Sequence, residues 1–310
     1  MVPLESLPEL PAPLPLMLAA AARPLRFRSP NFSAFGFTVE QVRISTEHLD
    51  HYAHLVGGCP GGGVPLAYPF VIAAPLHLQI ISDKRFPFAA MGLVHLHQRI
   101  ERVGHLEKRL PLDIDAFVQN ARFRERTATF TIETRVHQAS RLLWQGSTRV
   151  LARLGQRGAA PTTVPDAKPL PEGHEGGPRT ALEASEASEA IEGGPPTEIS
   201  IERWRLEGDL GFRYSRVAGD LNPIHLHRFV SRPFGFERPI IHGMWTFARA
   251  LSTLDIGTGP AVAQIGFDKP IYLPGEACLR VTPPGRERSF SVWSADGVTR
   301  HAHGTTTLRG

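Results

Sequence analysis

Residues 214–225 read Tyr-Ser-Arg-Val-Ala-Gly-Asp-Leu-Asn-Pro-Ile-His, and residues 240–244 read Ile-Ile-His-Gly-Met. In the first motif, Gly219 ends a helix and Pro223 fixes a turn, which puts a carboxylate, an amide and an imidazole on one short irregular loop. In the second motif, Gly243 opens a longer helix, whose first backbone N–H groups have no partner within the helix. These two segments carry most of the functional information in the sequence.

The side chains of the loop are suited to proton transfer. Asp220 and His225 lie five residues apart on the bent loop, so they can converge on one water molecule and exchange protons with it near neutral pH. A glycine at position 243 lets a ligand oxygen approach the free N–H groups of the helix, which makes an oxyanion site. The sequence Asp-x-Asn-Pro is also ordinary turn chemistry, in which the histidine is structural. Both motifs in this order favour the catalytic interpretation.

The elements around these motifs predict an α+β unit. Asp209 is a candidate cap for the helix that ends at Gly219, and the longer helix shows apolar residues at helical spacing. Alternating apolar positions predict the strands that follow, and they lie within residues 263–267, 277–281, 290–292 and 298–306. Period-two alternation means that these strands bury one face of a sheet, which must cover the long helix.

The N-terminal half shows the same order of elements. Thr46 is a candidate cap for a helix that ends near Val56, and a second helix is predicted over residues 68–81, with Phe70, Ala74, Leu78 and Ile81 on one face. Strands are predicted within residues 94–100, 112–118, 128–136 and 148–152. A faint repeat supports the similarity, since residues 52–57 match residues 214–219 in spacing and type.

A change in composition separates the two halves. Residues 155–198 contain seven prolines, seven glycines and no Phe, Trp or Tyr. A segment so poor in large apolar side chains cannot offset its ordering entropy, and this predicts a flexible linker. The predicted domains are therefore residues 25–154 and 199–310, with the linker between them.

Composition excludes several classes of protein. The 310 residues include 34 Lys and Arg against 30 Asp and Glu, and this small excess suits an anionic small molecule better than a nucleic acid. No run approaches the roughly 18 apolar residues of a membrane span, and the apolar stretch 14–22 lacks the basic start of an export signal. Cys59 and Cys278 form no metal-like or redox-like spacing, which indicates a reduced, cytoplasmic location.

The two motifs resemble those of the MaoC-like R-specific enoyl-CoA hydratases. Residues 267–275, Phe-Asp-Lys-Pro-Ile-Tyr-Leu-Pro-Gly, are similar to the strand after the central helix of that family. Residues 64–70 and 86–92 are similar to segments of mycobacterial 3-hydroxyacyl-thioester dehydratases. The resemblance implies a double hot dog, in which two antiparallel sheets each wrap around a long central helix.

The resemblance also implies a reaction and a set of site residues. Asp220 and His225 would be the catalytic pair, Asn222 would shape the loop at the substrate, and the Gly243 N–H would bind the thioester carbonyl oxygen. The reaction would be reversible hydration of a trans-2-enoyl thioester to an R-3-hydroxyacyl thioester, without metal or cofactor. Coenzyme A or acyl carrier protein would belong to the substrate. The resemblance leaves room for a homodimer and gives no role to nucleic acid.

The N-terminal half departs from the catalytic pattern. Gly58 stands at the position of the carboxylate, and no Asn-Pro-x-His follows. That half is therefore expected to be catalytically silent and to supply one wall of an acyl tunnel. In the C-terminal half, His225-Leu-His227-Arg228 replaces the His-x-Asp-Pro of many family members, whose Asp caps the next turn.

Three alternatives were weighed against the hydratase. The pairs His95/His97, His225/His227 and His301/His303 would each share a face on a strand, but no Cys or acidic residue completes a usual metal ligand set. A hot-dog acyl-thioesterase would use the same substrates for a different reaction. A non-catalytic acyl-thioester-binding protein would need neither Asp220 nor His225.

Overall fold

The structure is a computed structural model, and it describes residues 2–22, 32–59, 62–90, 92–124, 127–154, 199–232 and 235–309. The predicted linker, residues 155–198, lies outside the described residues. The division into domains at residues 25–154 and 199–310 therefore stays a prediction.

The described residues form helices and strands in the order expected for a repeated α+β unit. The helices are α1 (Pro13–Ala22), α2 (Thr46–Leu55), α3 (Tyr68–Ser82), α4 (Leu210–Ala218), α5 (Arg228–Ser231) and α6 (Gly243–Leu254). The strands of the N-terminal half are β1 (Leu4–Leu7), β2 (Phe35–Val42), β3 (Val94–Arg102), β4 (Leu112–Phe123), β5 (Thr127–Gln138) and β6 (Arg141–Arg153). Those of the C-terminal half are β7 (Ile199–Leu206), β8 (Ala261–Phe267), β9 (Gly275–Val281), β10 (Glu287–Ser294) and β11 (Arg300–Leu308). None of the described helices is long and apolar enough to cross a membrane.

The strand order is the same in the two halves. The N-terminal half runs β2-β4-β5-β6-β3, and the C-terminal half runs β7-β9-β10-β11-β8. The last strand of each order meets its counterpart, because residues 97–102 of β3 pair antiparallel with residues 261–266 of β8. The two expected sheets are therefore joined edge to edge into one sheet of eleven described strands, in which only the β1–β2 pair is parallel.

The predicted alternation of the strands is confirmed by their buried faces. Every second residue of β4, β5 and β6 is buried at the positions predicted from the sequence. These residues are Leu112, Ile114, Ala116, Val118, Ala128, Phe130, Ile132, Thr134, Val136, Thr148, Val150 and Ala152. On α6, Met244, Phe247, Leu251 and Leu254 are buried as expected. Each half of the sheet thus buries one face over a helix.

The face of α3 differs from the prediction. Phe70, Ala74, Leu78 and Ile81 are only partly buried, whereas Ala73, Leu76 and Ile80 are fully buried. The reason is that the helix is apolar nearly all round, so helical spacing alone does not select the face that meets the sheet.

The internal repeat lies at the contact between the two halves. Helices α2 and α4 pack together, and the Tyr52 and Tyr214 rings lie 6.3 Å apart between their centroids. The Trp245 indole N–H of α6 donates to the Leu55 carbonyl of α2 at 2.9 Å. The six-residue similarity therefore marks equivalent helices related by a local two-fold arrangement.

Two helix caps differ from their predictions. Ser45 rather than Thr46 is the cap of α2, and its hydroxyl accepts from the His48 N–H at 3.2 Å. Asp209 is at the cap position of α4, but its carboxylate makes no capping hydrogen bond and instead pairs with Arg213 at 3.4 Å.

The N-terminal segment forms two elements that the sequence patterns did not predict. Strand β1 pairs with β2, and α1 packs against α3. The ring of Pro13, the first residue of α1, lies beside Gly219, where an added Cβ would be 3.5 Å from Pro13 Cγ. The segment therefore reaches the loop that carries Asp220.

The packing of α6 predicts a large loss of stability when its central side chain is truncated. Phe247 is fully buried and stacks near Phe290 with ring centroids 6.3 Å apart. We expect Phe247→Ala to lower the free energy of unfolding by about 3–5 kcal/mol in urea denaturation, because it leaves a cavity. As a control, Val298→Ala removes a side chain that is 77% exposed and should change it by less than about 0.5 kcal/mol. Equal effects of the two substitutions would contradict this packing.

Candidate active site

The loop after α4 is shaped by hydrogen bonds among its own residues. Gly219 ends the helix at φ +68°, a conformation that favours glycine. The Asn222 N–H donates to Asp220 Oδ1 at 3.1 Å, and Asn222 Oδ1 accepts from the Ile224 N–H at 3.4 Å. Asn222 thereby caps a 3-10 turn, Pro223–His225, and sets the direction of both polar neighbours.

Ile240 connects this loop to the segment before α6. Its N–H donates to the Ile224 carbonyl at 3.0 Å, and its carbonyl accepts from His225 Nδ1 at 2.7 Å. Because a carbonyl oxygen only accepts, Nδ1 of His225 carries the proton and Nε2 keeps its lone pair. The buried imidazole is therefore held in the tautomer that can act as a base.

His242 is a third polar side chain at the site, and the sequence analysis gave it no role. It is the cap residue of α6, and its ring stacks on that of His225 with centroids 3.6 Å apart and planes inclined by 25°. Its Nε2 donates to the Asp220 carbonyl at 3.2 Å and lies 3.9 Å from Asp220 Oδ2. Its position immediately before Gly243 in the second motif was the signal that could have identified it.

The three side chains converge, but their geometry does not suit a metal ion. Single ligand atoms of Asp220, His225 and His242 all lie within 4.8 Å of one another. A metal binds imidazole nitrogen in the plane of the ring, and two rings stacked face to face cannot both direct a lone pair at one ion. The cluster is therefore better arranged for proton transfer than for coordination.

Burial and charge set the protonation states of the cluster. Burial and the neighbouring His225 lower the pKa of His242 to about 3, although Asp220 partly opposes them. Burial also lowers the pKa of His225, although the Asp220 carboxylate raises it in part. Loss of solvent raises the pKa of Asp220, but the two imidazoles and the Asn222 N–H hold it below its usual value overall. At neutral pH the site thus combines a carboxylate with two neutral imidazoles.

Gly243 is required by close packing at the start of α6. A Cβ at this position would lie 2.8 Å from the Phe267 ring, so any side chain would displace that ring. The sequence predicts that this glycine lets a ligand oxygen approach the helix, and the structure adds a packing reason for a glycine here. The N–H of this first helical residue has no acceptor within the helix and is free to bind an anionic oxygen.

His227 caps the next helix in place of the Asp that is absent at the end of the first motif. Its Nδ1 accepts from the Phe229 N–H at 3.4 Å and caps α5, the short helix that follows. An imidazole therefore makes the contact for which the expected Asp was missing.

The equivalent position in the N-terminal half is a cavity lined by both apolar and polar residues. It lies between α2 and α6, and its lining includes Tyr52, Gly58, Ala67 and Ser252. Gly58 corresponds to Asp220, and Ala67, the cap residue of α3, corresponds to His242. Its described lining residues include Cys59 and Asp255 but no histidine, and the expectation that this half is catalytically silent stays a prediction.

The buried imidazole of His242 predicts a dependence of stability on pH. Below about pH 6.5 the unfolded chain binds a proton at this histidine that the folded chain, with a pKa of about 3, does not bind. The free energy of unfolding should therefore decrease as the pH falls from 6.5 towards 3, and urea denaturation at a series of pH values measures this. We expect His242→Gln to make the decrease shallower. The same slope in both proteins would mean that His242 is already protonated in the folded state.

Comparisons with known proteins identify proteins to which this chain is similar. The model of the MaoC like domain matches residues 192–276. The chain is 28% identical over 300 residues to 3-hydroxyacyl-thioester dehydratase X of Mycobacterium tuberculosis, which covers 95% of this chain and 96% of the relative. The crystal structure of HtdX from M. tuberculosis superposes with a TM-score of 0.69 at 24% identity, over 88% of this chain and 99% of that one. A MaoC-like dehydratase from Phytophthora capsici superposes with a TM-score of 0.58 at 14% identity, over 89% of this chain and 95% of that one. The chain therefore has the double-hot-dog fold, and its residues 192–276 match the MaoC like domain.

Proposed function

We propose that the protein is a hydro-lyase that catalyses the reversible hydration of trans-2-enoyl thioesters to R-3-hydroxyacyl thioesters. The observation that carries this proposal is the tautomer of His225, which leaves Nε2 unprotonated, in a ring of which one nitrogen lies within 4.8 Å of an Asp220 carboxylate oxygen. A carboxylate and a neutral imidazole on one loop can hold a water molecule and remove its proton. The name of the mycobacterial relative, a 3-hydroxyacyl-thioester dehydratase, supports the same class of reaction.

In the proposed reaction one water molecule supplies both added groups. Asp220 accepts a hydrogen bond from the water, and His225 Nε2 takes its other proton as the oxygen bonds to C3. The resulting imidazolium then gives that proton to C2, so hydroxyl and hydrogen arrive on the same face of the double bond. The carboxylate stabilises the imidazolium between these two transfers. A positioned acid–base group contributes about 10²–10⁴ in rate.

Gly243 is proposed to stabilise the charge that develops on the thioester. Its N–H would donate to the carbonyl oxygen as that oxygen acquires enolate character, and such a donor contributes about 10²–10³ in rate. His242 stacks on His225 and would keep its ring plane directed at the water. Neither step requires a metal or an organic cofactor.

The substrate is proposed to be an acyl group carried on coenzyme A or on acyl carrier protein, in the cytoplasm. One active site per chain follows, because Gly58 and Ala67 replace the polar residues in the N-terminal half. A homodimer remains compatible with this proposal, since the site draws its polar residues from one chain.

Replacing the carboxylate is the first test of the reaction. We expect Asp220→Asn to retain substrate binding and to lower kcat for hydration by about 10²–10⁴-fold, because the amide cannot stabilise the imidazolium. Loss of the absorbance of the conjugated enoyl thioester follows turnover, and chiral chromatography of the product tests for the R configuration.

The matched control is Asp209→Asn, the same change on an exposed carboxylate at the other end of α4. It should leave kcat unchanged. Free thiol released at the rate of turnover would instead identify a thioesterase, and binding without any turnover in the wild type would identify a non-catalytic acyl-thioester-binding protein.

The N-terminal half is proposed to form one wall of the acyl site. His95 of β3 lies beside Phe267, the residue that packs on Gly243, and Phe70 of α3 stacks on His95. We expect kcat/KM to remain high for long-chain enoyl thioesters, because the missing catalytic loop of that half leaves space for the chain. A panel of enoyl thioesters of increasing length measures this, and a strict preference for four-carbon substrates would contradict it.

A further inference from the structure

A β-bulge in β3 determines where two histidines point. In the pairing with β6, His95 lies opposite Val150 and His97 opposite Arg149, so Leu96 is an extra residue. Val150 belongs to the buried face of β6, and His95 therefore faces the helices, whereas His97 faces away with Arg149. The expectation that these two histidines share a face is wrong for this reason. Bulges are frequent beside active sites, where they redirect a side chain.

The redirected His95 ring lies beside the site residues of the other half. Its centroid is 4.9 Å from that of Phe267 and 6.3 Å from that of Phe70, whose plane is nearly parallel to it. Phe267 is the ring that contacts Gly243. The Phe267 ring thus lies next to both His95, a residue of the N-terminal half, and Gly243 at the proposed oxyanion site.

The outer nitrogen of this imidazole has no hydrogen-bond partner. His95 Nε2 is enclosed by protein, and no partner for it occurs among the described residues. Burial lowers the pKa of His95 to about 4, whereas hydrogen bonds with the Gln98 side chain and the His97 backbone raise it in part, and so does the charge of Asp220. The ring is therefore neutral and close enough to Asp220 to sense its charge. An unpartnered buried polar atom reduces stability, and a hydrogen bond from a bound ligand would compensate for this cost.

We propose that His95 is a substrate-positioning residue contributed by the N-terminal half. Its Nε2 hydrogen-bonds a polar atom of the bound acyl thioester, in the segment that runs from the carbonyl carbon to C3. This inference rests on the proposed function, which places that segment between Gly243 and Asp220. The Phe267 ring lies beside both His95 and Gly243 in the structure. Phe70 supports the other face of the imidazole.

Three substitutions test the proposal by steady-state kinetics and urea denaturation. His95→Phe keeps an aromatic ring and removes the hydrogen bond, and we expect kcat/KM to fall about ten- to hundredfold while the free energy of unfolding is unchanged or higher. His95→Gln keeps a polar group at the end of the side chain and should recover part of the loss. His97→Gln, on the opposite face of the same strand, is the control and should retain the wild-type kcat/KM.

The outcomes separate this inference from the proposed function. If the wild type hydrates enoyl thioesters but His95→Phe has the same kcat/KM, the role of His95 is overturned and the proposed function stands. If His95→Phe is strongly destabilised, or if the Gln and Phe variants lose activity equally, the imidazole is structural and the inference is also overturned. A wild type without hydratase activity overturns both proposals.

Discussion

The geometry of the site depends on the two hydrogen bonds of Ile240. Its N–H and its carbonyl bind the loop of the first motif, and the carbonyl selects the tautomer of His225. The next residue, Ile241, donates to the Ile271 carbonyl at 2.9 Å, so the same short segment is also attached to the residues that follow β8. A backbone carbonyl cannot be removed by substitution of a side chain. The chemistry of the site therefore rests on main-chain geometry more than on the identity of residue 240.

The two halves have the same fold but different residues at the equivalent positions of the site. Both have a Tyr-x-x-x-x-Gly helix followed by a longer helix, and the two tyrosines meet at the contact between the halves. In the N-terminal half small residues occupy the positions of the acid–base residues, and that half contributes packing through α3 and β3. Joining β3 to β8 brings His95 next to Phe267, so the N-terminal half borders the site. An edge-to-edge sheet is what allows one half to complete the surroundings of the other.

The buried neutral imidazoles of this site lower the stability of the folded protein. His242 has a pKa of about 3 and a buried Nδ1 without a partner among the described residues, and His95 has a similar unpartnered nitrogen. Such groups reduce stability, since a buried polar atom without a hydrogen bond has lost its solvation. They are tolerated because the large apolar core of both halves, continuous across the sheet, supplies the stability. At such a site, stable folding favours hydrogen-bonded or apolar buried groups, whereas the chemistry requires polar groups that are free to bind substrate.

The amino-acid sequence by itself determined the strands β3–β6 and β8–β11, the helices α2, α3, α4 and α6, and the loop that bears Asp220 and His225. It did not predict β1, β2, β7, α1 or α5. The predicted features are local, because alternation along β4 and β5 and a glycine after α4 act within a few residues of one another. Other features required the tertiary structure. The buried face of α3, the stacking of His242 on His225 and the packing of Phe267 on Gly243 all depend on segments that are distant in the chain. The bulge that turns His95 towards the helices depends on the register between β3 and β6, and a register is decided only when two strands pair.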